Sequence, residues 1–144
     1  MPAAKRIFVD TNVLLYFLDP SDPIRQTRAA EWLHHLWATG NGALSWQVLH
    51  EFYANAVRKL AVPPAEARFL VDSFLTWAPS DTTPALIHRA WHWIDIAQLP
   101  YWDALILAAA ELTGATILLT EDFQADRRFD EIQVINPFTT APED

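Results

Sequence analysis

Hydrophobic positions along the chain alternate between short uninterrupted runs and one-sided helical spacings. Ile7-Phe8-Val9 is apolar throughout and ends at Asp10, and from Thr11 onward Val13, Leu14, Leu15, Phe17 and Leu18 follow before Pro20 and Pro23 stop the run. This predicts a buried strand entering a short helix. Helical spacing returns from about Ile24 to Trp37 and ends at the turn Gly40-Asn41-Gly42, after which Ala43-Leu44-Ser45 reads as a second strand. From Gln47 to Leu60 the apolar residues Leu49, Phe52, Tyr53, Ala56, Val57 and Leu60 define a one-faced helix. Pro63-Pro64 opens another to about Phe74, Leu75 to Ala78 reads as a third strand, and Pro84 and Pro100 each open a further helix. Thr116 to Thr120 and Ile132 to Ile135 complete the strands.

The expected order is therefore β-α-α-β-α-α-β-α-α-β-β. Short strands that are apolar along their whole length, separated by helices, imply an α/β fold with a mainly parallel sheet covered on both faces and joined by right-handed crossovers. A chain of 144 residues is the usual size of one domain, so residues 1–144 are read as a single unit able to bury roughly 70% of its unfolded surface.

Composition narrows the chemistry. With no cysteine, disulfides, thiolate zinc sites, iron–sulfur clusters and a cysteine nucleophile are excluded, and any metal must bind through oxygen or imidazole. The longest stretch without formal charge, Trp32 to His50, carries three histidines, two glycines, Asn41 and Gln47 and is too polar to cross a bilayer. Lys5-Arg6 before an apolar run resembles a secretion signal only superficially, because Asp10 and Asn12 interrupt it, so a cytoplasmic protein is expected. The net charge of −8 argues against gripping nucleic acid by bulk electrostatics; a phosphate substrate would need local cations.

Four of the acids stand where acids are expensive. Asp10 and Asp122 follow apolar strands at the end of a parallel sheet where ligands gather, Asp103 precedes Ala104-Leu105-Ile106-Leu107 in the first turn of a helix, and Glu51 lies on an amphipathic one beside Asn55 and Arg58. Each also has an ordinary use, as a helix cap, a dipole partner, a solvated side chain or a loop residue. Carboxylates forced together repel and raise one another's pKa unless a cation compensates, and Mg²⁺ or Mn²⁺ suits an all-oxygen cluster.

The segments Ile7-Phe8-Val9-Asp10-Thr11-Asn12, Ser45 to Phe52, Tyr101-Trp102-Asp103-Ala104-Leu105-Ile106 and Leu118-Leu119-Thr120-Glu121-Asp122 together resemble PIN-domain ribonucleases, and among them the VapC toxins. The resemblance spans nearly the whole chain. It implies a three-layer α/β/α sandwich, Mg²⁺ or Mn²⁺, endonucleolytic hydrolysis of RNA, a homodimer and a small antitoxin partner. Asp10, Glu51, Asp103 and Asp122 match the family's acidic quartet, with Asn12 and Thr120 at supporting polar positions. Glu121 adjoins Asp122, and the spacing from Thr120 favours Asp122 as the fourth acid. One or two ions held there would activate a water for in-line attack and stabilise the leaving oxygen, and Arg25, Arg28, Arg58 and Lys59 would add phosphate contacts if they face the cleft.

Other features lead elsewhere. His88 and His92 have the spacing of a helical zinc pair, but Arg89 stands where a metalloprotease needs its Glu, so a structural or exposed role is expected. Seven tryptophans suit core packing, with base stacking or a partner groove as further uses. A haloacid-dehalogenase-like phosphatase needs a second Asp where Asn12 stands, and a late-strand lysine that a chain with only Lys5 and Lys59 lacks. An acidic, Trp-rich binding module without catalysis is the remaining alternative, and metal-dependent RNA cleavage separates it from the nuclease.

Overall fold

The computed structural model describes residues 5–124 and 127–143. Their strands are β1 (Ile7–Val9), β2 (Gly42–Ala43), β3 (Ile117–Leu119), β4 (Arg128–Phe129) and β5 (Ile132–Ile135), in the spatial order β2-β1-β3-β5-β4. Every pairing is parallel except β4 with β5. The helices are α1 (Thr11–Phe17), α2 (Pro23–Thr39), α3 (Trp46–Arg58), α4 (Pro64–Phe74), α5 (Pro84–Ala97) and α6 (Tyr101–Leu112).

All three residues of β1 and of β3 are buried. Side chains alternate between the faces of a strand, so both faces of the sheet are covered, as the uninterrupted apolar runs require. Helix α6 is buried from Ala104 to Ala110 without a break, the pattern of a helix apolar all round and enclosed in the core. The chain leaves β1 for β2 on one side and β3 takes up the other, so the C-terminal end of β1 lies at a switch in strand order, where ligand crevices form in open α/β sheets.

Two expectations are corrected. Leu75 to Ala78 is not a strand; Leu75–Trp77 forms a single 3₁₀ turn ending at Ala78 in a left-handed conformation, and the only strand-like pairing nearby is one parallel bridge between Ser45 and Ser80. The apolar signal there reflects aromatic packing. Trp77 lies against Trp37 and Phe74, with ring centroids 5.0 and 5.1 Å away, and its indole covers Gly42. A second difference is β4, which pairs antiparallel with β5 through the two-residue turn Asp130-Glu131, with Asp130 at φ 50°. Hairpins of this kind require positive φ, usually supplied by Gly or Asn, and Asp-Glu gave no such signal.

A Cβ at Gly42 would stand 2.5 Å from the Trp77 ring. Because that ring is fixed in an aromatic stack, Gly42→Ala is expected to cost about 1–3 kcal/mol of overpacking strain. Chemical denaturation checks it: an unchanged midpoint would mean that the Trp77 stack yields freely.

Opposite β2, Arg89 ties α5 to α6 and the hairpin. It donates to both oxygens of Glu111, each at 2.9 Å, and to Asp130 at 2.7 Å, while the Trp93 indole N–H donates to Glu111 as well. This occupies the residue between His88 and His92, whose rings lie against Trp91 and Trp93.

Candidate active site

The register Val9↔Leu119 sets the ends of β1 and β3 side by side, so Asp10 and Thr120 leave the sheet together. The Asp10 amide donates to the Leu119 carbonyl at 3.0 Å and that of Thr120 to the Ile135 carbonyl at 3.1 Å, which extends the ladder one residue into the site. Asp10 is 6% exposed and Thr120 fully buried.

Each Asp10 oxygen has a donor. Oδ1 accepts from the Thr11 amide at 2.7 Å, capping α1, and Oδ2 accepts from Thr120 Oγ1 at 2.8 Å. Asp10 does cap α1, but that use does not account for the site, since a residue serving only as a cap has no need of burial beside other acids. Burial pushes its carboxyl up to about 6 from 3.8, against the lowering effect of both hydrogen bonds, and the charges of Asp122 and Glu51 add to the rise.

Glu51 comes in from α3. Thr11 Oγ1 donates to its Oε2 at 2.9 Å and Gln47 Nε2 to its Oε1 at 2.9 Å, while Asn55 donates to its backbone carbonyl at 2.8 Å. Asp122 is anchored by Asn12 Nδ2 at 2.9 Å, and its amide donates to Thr120 Oγ1 at 3.0 Å. Thr120 therefore links two acids through one hydroxyl, donating to Asp10 and accepting from Asp122. Among the described residues nothing donates a hydrogen bond to the Asp103 carboxylate. Burial raises it first, then the charges of Asp122 and Glu51, and Asp122 is raised by burial and by Glu121.

The structure thus gathers Asp10, Glu51, Asp103 and Asp122 from four separate elements, with Asn12 and Thr120 holding two of them. Glu121 turns to another partner, accepting from Arg25 Nε at 3.2 Å. Of the candidate phosphate contacts, Arg25 is engaged by Glu121 and Asp22, and Arg28 by Glu31. Lys59 lines a cleft of about 210 Å³ with Asn12, Tyr16 and Asn55, and Arg58 is exposed at the end of α3. Sequence reasoning missed Thr11 and Gln47. Gln47 had a legible signal, since it lies one helical turn before Glu51 on the same face.

The donor chemistry of this cluster fits a hard divalent cation: every ligand is oxygen, and Asp103 and one oxygen of Asp122 accept no protein hydrogen bond among the described residues. The carboxylates are neighbours without being drawn into contact, for among the described residues no three acidic or histidine side chains converge as a ready-made ion cage. An apolar cleft of about 490 Å³ lined by Phe17, Leu33, Trp37, Leu70 and Phe74 includes none of these acids.

With this geometry in place, the comparison with known proteins gives the class: residues 7–133 match the PIN domain family, and the chain belongs to it. Its fold is similar to that of VapC20 of Mycobacterium tuberculosis, described as a toxin that cleaves the sarcin–ricin loop (21% identity, TM-score 0.59, covering 81% of this chain and 89% of that one). It is also similar to VapBC2 of Rickettsia felis, solved bound to a DNA fragment from its promoter (18% identity, TM-score 0.60, covering 89% and 96%). No curated protein sequence matches the chain significantly. Among the described residues no helix is long and apolar enough to cross a membrane.

Proposed function

We propose that the chain is an endoribonuclease that hydrolyses RNA phosphodiester bonds with Mg²⁺ or Mn²⁺ held by Asp10, Glu51, Asp103 and Asp122. The observation that carries the reading is the grouping of these acids from four elements, with burial and neighbouring acidic charge shifting the carboxyls of Asp10, Asp103 and Asp122 upward. Such a cluster opposes folding, and a purpose beyond stability accounts for it. Membership of the PIN family supports the same reading. Asp122 rather than Glu121 completes the set, because Asn12 holds Asp122 beside Asp10 whereas Arg25 neutralises Glu121.

When bound, a divalent ion supplies charge neutralisation and an activated water. The chain's own residues do the positioning. Thr120 and the Thr11 amide fix the Asp10 carboxylate, Thr11 and Gln47 fix both oxygens of Glu51, and Asn12 fixes Asp122, so these three acids are oriented before anything binds. Asp103 is left to adjust.

The protein is read further as the toxin of a toxin–antitoxin pair. The VapC toxin and the VapBC pair that share its fold support a small antitoxin partner. A homodimer belongs to the same reading; the exposed Trp91, Ile96 and Leu112 on α5 and α6 offer apolar surface for one.

The purified chain, freed of any partner, is expected to fragment RNA in Mg²⁺ or Mn²⁺, to stop on addition of chelator and to resume when the ion is restored. Cleavage that persists in chelator would remove the metal, and intact RNA under every divalent condition would remove the nuclease.

A further inference from the structure

Helix α6 hides nearly everything it carries except its first two residues. Tyr101 is 42% and Trp102 64% exposed, immediately before a run of seven buried positions. Their rings lie 5.4 Å apart at 60°, so the pair is self-supporting at the surface. Leaving an indole in water forfeits the burial energy an aromatic normally contributes, and nothing in the packing of α6 calls for it.

Position supplies the reason. The next residue is Asp103, whose carboxyl is coupled to Asp122 and Glu51. Neighbouring side chains of a helix diverge by about 100°, but consecutive Cα atoms are only about 3.8 Å apart, so an exposed indole rooted one residue before Asp103 is within side-chain reach of a nucleotide whose phosphate lies at the acids. Charge gives the site limited grip on such a nucleotide: the chain carries −8, Arg25 is paired with Asp22 and Glu121, and Arg28 with Glu31, which leaves Lys59, in the cleft with Asn12, and the exposed Arg58 as the remaining candidate cations. Base stacking is the attraction that works without net positive charge, because every base presents a π face to an exposed aromatic ring.

Resting on the nuclease reading above, we propose that Trp102, braced by Tyr101, is a positioning residue on which the nucleobase beside the scissile phosphate stacks. The ring holds the strand so that the phosphate lies over the carboxylates, and it requires that base to be free of its own stack.

The test uses the full chain, short oligoadenylate as probe, and an abasic ribose-phosphate oligomer of equal length as its control, in an Asp10→Asn background to prevent turnover. Trp102→Ala is expected to weaken oligoadenylate binding by about tenfold to a hundredfold. Trp102→Phe should recover part of the loss, the abasic oligomer should bind all forms alike, and Phe69→Ala, which removes an exposed aromatic on α4, should change nothing. On RNA that the wild type cleaves, Trp102→Ala should raise KM more than it lowers kcat. Equal preference for oligoadenylate over the abasic oligomer with and without the indole would overturn stacking while leaving the nuclease intact. Unchanged cleavage with lost capture of a protein partner would overturn it in favour of a protein contact. Failure of the wild type to cleave any RNA takes down the nuclease reading and this proposal with it.

Discussion

Asp10→Asn is expected to reduce RNA cleavage by at least about a hundredfold, the scale of loss seen when metal-site support is removed, while making the metal-free protein more stable near pH 7. The two effects have one cause. Burial and neighbouring acids hold the folded carboxyl at about 6 against 3.8, so between those values the folded state binds a proton that the unfolded state has lost. Stability from this group is full at acid pH and is lost as pH rises from about 4 through 6, amounting to about 3 kcal/mol at most by pH 7. Asparagine keeps the shape and the acceptor that caps α1 but cannot ionise, so it escapes this loss. Melting curves of both proteins in chelator at several pH values check the expectation. The variant should melt higher at pH 7, with the gap closing towards pH 4; a constant gap, or a variant that melts lower throughout, would show that the Asp10 charge is not under strain.

Asp103→Asn should have the second largest effect, and its sign separates two roles. A residue that merely favours the α6 dipole would lose a few tenths to about 1 kcal/mol on substitution, independent of metal. A member of a repelling cluster that no described residue holds by a hydrogen bond should instead gain thermal stability in the metal-free state while cleavage falls. The wild type should also gain about 1.4 kcal/mol from Mg²⁺ at tenfold its dissociation constant, and the variant much less. A destabilised variant with a full response to Mg²⁺ would take Asp103 out of the site.

The parts of the fold legible in the sequence were those with a periodic or all-apolar signal. β1 and β3 could be read because a strand buried on both faces has no polar position to confuse it, β5 because it is apolar apart from Gln133, and α3 because its stripe is one-sided. Leu75 to Trp77 misled for the converse reason: large apolar residues on either side of Thr76 look alike whether they line a sheet or cap it, and the position of Gly42 beneath Trp77 distinguishes the two. At the site, the four acids stood out individually as costly and the resemblance implied their joining, whereas the means of holding them together was not legible. Their joining depends on the parallel register Val9↔Leu119, which brings Thr120 to Asp10 from 110 residues away, and on the hydroxyl of Thr11, a small group with no signal of its own whose partner Glu51 lies on another helix.

The sheet also ends abruptly on both sides, at β2 with two residues and at β4 with two. A strand that short displays few unsatisfied backbone groups, and on the β2 side Trp77 overlies Gly42. Neither margin is a usable template for another chain to add itself in β fashion, a common route to fibres and runaway aggregation. Recognition by copies or partners is thereby diverted from backbone pairing, which any extended peptide can satisfy, to helical faces whose side chains can discriminate. For a protein proposed to be harmful when unaccompanied, that arrangement makes inactivation depend on the identity of the companion.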